Sequence, residues 1–136
     1  MNTAPPPVGA ALPHESAHLH VTGEAAYTDD LPEPAGTLHA APGLSSVAHG
    51  RIVCLDLAAV RAAPGVRAVI VAADIPGDNN CGAAVHDDPI LADGEVSFHG
   101  QPLFAVAADT RDQARHAARL AKVGIEALPA LLTVED

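Results

Sequence analysis

Three histidines stand within seven residues near the start of the chain, His14, His18 and His20, with Glu15 beside the first. Imidazole and carboxylate are zinc ligands, and a helix would bring His14 and His18, four apart, onto one face. His20 would then point elsewhere, and no nearby Cys or Asp completes a four-ligand set. These residues favour a solvated polar arm; a free-standing small-molecule or metal-binding module using His14, His18 and His20 is the alternative. His39, His49, His86, His99 and His116 are scattered singly, a pattern of satisfied or exposed side chains rather than of a catalyst.

The nucleophile candidates are equally sparse. Ser16, Ser45, Ser46 and Ser97 lie in no GxSxG turn. Cys54 falls in the middle of an apolar stretch, where burial would raise its pKa and leave it inert. Cys81, in the turn formed by Asn79, Asn80 and Gly82, is the more exposed and reactive thiol, but no Lys or Arg adjoins it to favour the thiolate. The adjacent pairs Asp29-Asp30 and Asp87-Asp88 read as solvated turn formers rather than a general acid and base. Neither GxGxxG nor GxxxxGK[ST] occurs. Arg111, Arg115, Arg119 and Lys122 share one helical face, which could meet phosphate or an acidic partner; a solvated face is the favoured reading. Taken alone, these residues assign no catalytic, cofactor-binding or metal-binding position.

Composition narrows the classes further. The 136 residues carry 7 Lys and Arg against 17 Asp and Glu, a formal net charge of −10. Phosphate recognition needs clustered cations, so nucleic acid and anionic membrane surfaces are poor partners. No apolar run approaches the roughly 18 residues of a bilayer span. Met1 to Ala10 lacks the basic and apolar regions of a secretory signal, and the two cysteines are too far apart for a CxxC motif. Free thiols and a cytoplasmic location are the expectation. Hydrophobic residues make up 49 %, much of it alanine, and aromatics only 2 %, so a compact core of modest stability is expected.

The elements that must position these groups follow from pattern. Residues 1–21 read as an amino-terminal arm, extended at Pro5 to Pro7, and residues 22–136 as one domain. Residues 22–32 read as an ordered loop closed by Pro32. Strands are predicted over 37–45, interrupted at Pro42-Gly43 as an edge strand or a bulge, and over 50–56. Asp56 would cap a short helix over 57–63 that Pro64-Gly65 stops. Residues 66–72, nearly all apolar, predict a central strand covered on both faces. A long loop spans 77–94, and another buried strand 103–108. Thr110 and Gln113 predict a capping box, with Ala114, Ala117, Ala118 and Ala121 on the buried face and Gly124 as the stop. Residues 125–134 would return as an edge strand around Pro129.

The order of these motifs carries a resemblance. Gly23 to Pro32, Pro64-Gly65-Val66 running into Ala73 to Gly77, Gly100 to Thr110, and Ile125 to Ala130 together resemble the α/β hammerhead domain of the molybdenum hydroxylases, the family of xanthine dehydrogenases and aldehyde oxidases. The likeness runs from about His14 to Asp136, and residues 20–30 look closest to the xanthine dehydrogenase branch. It implies an α+β fold (α/β hammerhead), a small mixed sheet with two main helices. Where the family commonly has Tyr-Glu before its Leu-Pro, this chain has Ile125-Glu126, a change that bears on packing more than chemistry.

The resemblance also implies a structural, subunit-packing role within an enzyme that hydroxylates purines, xanthine and hypoxanthine to urate. That enzyme would use molybdopterin-bound molybdenum, with [2Fe-2S] clusters and FAD in a partner domain or subunit. The implied partners are the remainder of the molybdenum-binding subunit and the iron–sulfur/FAD subunit. No cofactor is assigned to these residues, because the family's cofactor-holding motifs lie further along the subunit. Gly100-Gln101 resembles the Gly-Gly-Gln-Glu motif only superficially, since its flanks match a hammerhead strand. A domain built to be covered would expose apolar patches when isolated, expected chiefly around the loop from Gly77 to Gly94.

Overall fold

The computed structural model describes residues 8–135, in two compact units that divide between Ala35 and Gly36. The predicted extended run at Pro5 to Pro7 lies outside the described residues. In the first unit, α1 (Ala17–Thr22) ends at Gly23, whose φ of 76° is open to glycine at no cost. A single 3-10 turn follows at Thr28–Asp30, where the Tyr27 amide donates to the Asp30 carboxylate at 2.9 Å. The helix therefore crosses residue 21, where the arm was expected to end.

The second unit contains β1 (His39–Leu44), β2 (Gly50–Asp56), α2 (Ala58–Arg61), β3 (Val66–Val71), β4 (Glu95–Val96), β5 (Pro102–Ala108), α3 (Arg111–Ala118) and β6 (Lys122–Ala127). Successive strands alternate between two sheets, ordered β1-β5-β3 and β4-β2-β6. The α+β hammerhead expectation stands, but the single mixed sheet is corrected: both sheets are antiparallel throughout. A parallel pair needs a crossover of a dozen or more residues. The link through α2 is shorter, and it delivers β3 to the other sheet.

Cross-strand neighbours in the first sheet sort its side chains into rows. Ala41, Val106 and Val69 form one inward row, and Gly43, Phe104 and Val71 the next. Onto this face pack Ala114 and Ala117 of α3 and Val60 of α2, with Leu103 and Val96 completing the core. Helix α3 starts as its sequence predicts. Thr110 Oγ1 accepts from the Gln113 amide at 3.2 Å and donates to Gln113 Oε1 at 3.1 Å. Beside it Arg67, at a register shift in β3, donates from Nε and Nη2 to the two Asp109 oxygens at 2.7 and 2.9 Å.

Four expectations are corrected. β3 is an edge strand, because β5 occupies the centre of the sheet and pairs on both sides. Cys54 is exposed: a bulge between Ile52 and Cys54 inserts an extra residue, so Ile52 and Leu55 face the core while Val53 and Cys54 face out. Gly124 does not stop α3, which ends at Ala118, but pairs with Cys54 inside β6. A Cβ there would lie 3.2 Å from that of Cys54, so a side chain at this position would press on the bulge. The last edge strand exists as β6 but runs over Lys122–Ala127, earlier than the predicted 125–134.

Phe104 is the one aromatic side chain in the core, and its ring fills the space where a side chain on Gly43 would stand. Gly43→Ala should therefore overpack the site and destabilise the chain by about 1–3 kcal/mol. Urea unfolding monitored by circular dichroism checks this; an unchanged midpoint would show that the ring moves aside freely.

Candidate functional site: an uncovered sheet face

The sequence-predicted histidine group is only partly assembled. The rings of His14 and His20, not His14 and His18, approach each other, edge to face with centroids 5.3 Å apart. His20 Nδ1 also lies 3.2 Å from the Tyr27 hydroxyl, and His14 Nδ1 accepts from the Ser16 amide at 3.2 Å. The alignment of His14 with His18 fails because α1 begins only at Ala17. Among the described residues, no group of three His, Cys, Asp or Glu side chains is placed to hold a metal ion. The metal-module alternative gains no support from this arrangement.

Cys81 is exposed, as predicted, but not activated. Its thiol donates to the Asp88 carbonyl at 3.3 Å and to Asp88 Oδ2 at 3.4 Å. The hydrogen bond to the carboxylate, with partial desolvation and the carboxylate's charge, pushes the thiol pKa up. Asn79 staples the same loop, donating to the Leu91 carbonyl at 2.7 Å and accepting from its amide at 3.0 Å. Gln101 is buried, and its Oε1 accepts from the Ser97 amide at 2.7 Å, so the Gly100-Gln101 pair here shapes a turn. Among described residues, every buried side-chain nitrogen and oxygen has a partner. With neither an orphaned donor nor a ligand cluster, these residues do not fit a pterin or a metal.

His49 ties three segments together. Its Nδ1 donates to the Pro129 carbonyl at 2.6 Å, and its Nε2 lies 3.2 Å from Glu95 Oε1. Both partners are acceptors only, so the ring satisfies both only as imidazolium. These bonds, the one to Pro129 first, raise its pKa above 6.5. The ring lines an open groove of about 620 Å³ with Phe98, His99, Leu131 and Leu132. No sequence signal marked this histidine, because its partners lie 46 and 80 residues away.

The feature that most needs explaining is the outward face of the first sheet. Its rows are Ala40, Ala107 and Ala68, then Pro42, Ala105 and Ile70. All six are apolar and none is buried; Ile70 is 41 % exposed. An antiparallel sheet with one solvated face normally alternates apolar and polar residues. Here both faces are apolar, and α3 covers only the inner one. Exposed Val85 and Ile90 add apolar surface in the 77–94 loop, but the sheet face is the more continuous patch.

The second unit is thus an α+β domain whose first sheet is apolar on both faces, one covered by α3 and one open. Its family follows from comparison: the profile described as "Aldehyde oxidase and xanthine dehydrogenase, a/b hammerhead domain" matches residues 22–129, and the chain belongs to that family. It is 43 % identical over 129 residues to a xanthine dehydrogenase of Oryza sativa subsp. japonica, covering 95 % of this chain and 9 % of that protein. It is also 43 % identical over 132 residues to aldehyde oxidase 4 of Cavia porcellus, covering 96 % of this chain and 10 % of that protein. The structure resembles an aldehyde oxidoreductase from Desulfovibrio gigas with a TM-score of 0.75 and 37 % identity, over 86 % of this chain and 14 % of that one. The chain thus spans about a tenth of the length of the curated relatives it matches.

Two outcomes follow. Because its folded pKa is raised, the His49 clamp contributes in full below pH 6.5 and is lost as pH rises through the folded value. NMR titration should place the His49 midpoint above 6.5, with faster amide exchange at Leu128 beyond it; a midpoint at or below 6.5 refutes the clamp. Cys81 should alkylate more slowly at pH 7.5 than a free thiol, and Asp88→Asn should speed it, as followed by mass spectrometry with iodoacetamide.

Proposed function

We propose that this chain is the amino-terminal hammerhead domain of a molybdenum-binding subunit of a xanthine dehydrogenase, catalytically silent alone. Its work is architectural. The apolar outer face of the first sheet packs against the remainder of that subunit, and the loops over 22–32 and 77–94 meet neighbouring domains or the iron–sulfur/FAD subunit. The parent enzyme, in the cytoplasm, hydroxylates purines, taking xanthine and hypoxanthine to urate. There the molybdenum pterin supplies the oxygen-transfer and hydride-accepting chemistry from residues outside this chain, and the [2Fe-2S] clusters and FAD carry electrons onward.

The observation that carries the packing role is the unbroken apolar outer face, Ala40, Pro42, Ala68, Ile70, Ala105 and Ala107. Contiguous apolar surface rimmed by polar residues marks a protein contact. The reading of the parent as a xanthine dehydrogenase is supported by the resemblance of residues 20–30 and by the plant relative. The equal identity to an aldehyde oxidase makes the substrate the point to test.

Purified residues 1–136 should contain no stoichiometric molybdenum and form no urate from xanthine; either result reversed would overturn the silence assigned to them. Ile70→Lys should leave the stability of the isolated chain within about 0.5 kcal/mol of wild type, as for a surface site, measured by thermal unfolding. In the longer polypeptide the same substitution should abolish recovery of soluble, molybdenum-loaded enzyme. Normal assembly of the Ile70→Lys variant would refute the packing face, and turnover of an aldehyde but not xanthine would refute the substrate.

A further inference from the structure

We infer that the groove between β1 and α3 docks an extended acidic polypeptide segment of a partner. Residues 40–44 of β1 and Arg115, Ala118 and Arg119 line an open groove of about 550 Å³, and no carboxylate lines it. Its strand side is built of small and apolar residues, and two guanidiniums stand on the helix side.

The cations of this acidic chain are not dispersed. Of the seven Lys and Arg residues, Arg51 pairs with Glu126, Arg67 with Asp109, and Arg61 donates to the Val69 carbonyl. The other four, Arg111, Arg115, Arg119 and Lys122, lie within twelve residues that contain one carboxylate, Asp112. None of the four makes a side-chain hydrogen bond or ion pair among the described residues. Like charges four apart on a helix repel, as Arg111 does Arg115 and Arg115 does Arg119. The helix dipole favours Arg119 at the C-terminus but disfavours Arg111 in the first turn. A partner's carboxylates placed along this row turn the repulsion into attraction.

The spacing selects the ligand's form. Side chains four apart on a helix stand about 5–6 Å apart at Cβ. In an extended chain, residues two apart are separated by about 7 Å and point to the same side. An acidic–apolar–acidic tripeptide therefore meets Arg115 and Arg119 with its carboxylates and faces the small residues of β1 with the rest. Pro42 lacks a backbone donor and interrupts any continuous ladder on the outer edge of β1, so recognition rests on side chains. This inference stands apart from the substrate of the parent enzyme; the groove adjoins the outer sheet face, with which it shares Ala40 and Pro42.

The test is fluorescence polarisation with the 136-residue chain and a fluorescein-labelled peptide of alternating Glu and Leu, at low salt. Saturable binding is expected, weakened at least tenfold by Arg115→Glu/Arg119→Glu and by replacing the peptide's Glu with Gln. Arg115→Gln/Arg119→Gln, with helix content checked by circular dichroism, should weaken it as well, and Arg51→Glu should not. Absence of saturable binding, equal affinity for the double variants, or a loss with Arg51→Glu as large as with the groove variants overturns the inference. So does an oligothymidylate that binds more tightly than the peptide through the same arginines, which would make the surface a nucleic-acid site.

Discussion

The ladder of β5 carries hydrogen bonds on both edges and packed side chains on its inner face, and no other strand of its sheet does both. Its partners come from distant parts of the sequence: β1 lies about sixty residues before it and β3 about thirty-five. The same is true of β2, which pairs with β4 and β6. No two strands consecutive in the chain pair with each other, so every ladder closes a long loop before it stabilises anything. Phe104, the largest fully buried side chain, lies over Gly43 and packs β1 against β5 at the position just before their register shift.

A core drawn from alanine, valine and leucine has little apolar area per contact, and polar groups make up the connections that large side chains would otherwise provide. Arg67 and Asp109 join the start of β3 to the end of β5. The guanidinium holds the Asp109 carboxyl below its ordinary value, so that contribution is present above about pH 4 and fades as the medium is acidified through the folded pKa. Asn79 holds the long loop to Leu91, Gln101 holds the turn before β5, and His49 holds the segment after β6. These ties lie at the ends of strands, where the alternating topology leaves the chain changing sheets.

Local chemistry was legible. The strand over 50–56, the cap at Thr110 and the edge or bulge in β1 follow from β-branched runs, a hydroxyl before a helix and Pro-Gly within a strand; β1 is both an edge and irregular between Gly43 and Leu44. Pairing was not legible, since nothing in a strand's own residues says which distant strand it meets. Bulges misled most: Gly124 has the spacing of a helix stop, but its absence of a side chain serves the bulge at Val53 across the sheet. The same bulge turned Cys54 outward against the alternation. In the candidate site, exposure of Cys81 could be read from its turn, whereas the Asp88 carboxylate that restrains it lies across the loop. The family resemblance rested on motifs spread along the chain and so survived these local errors.

The misreading of β3 is itself informative. Its run from Val66 to Val71 predicts burial on both faces, yet it sits at an edge with Ala68 and Ile70 in contact with solvent. Periodicity reports the environment for which a side chain is suited, and an edge strand of an antiparallel sheet has no need of an apolar outer face. β5 shows the same discrepancy at Ala105 and Ala107, and β1 at Ala40 and Pro42. Three strands from separate parts of the chain thus err in one direction and on one side of one sheet. Their patterning agrees with a sheet covered on both faces, while residues 36–135 supply a cover for only one. Two adjoining surfaces that meet at Ala40 and Pro42 therefore remain with different chemistry, an apolar sheet face suited to a dry contact and a cationic groove suited to a charged one.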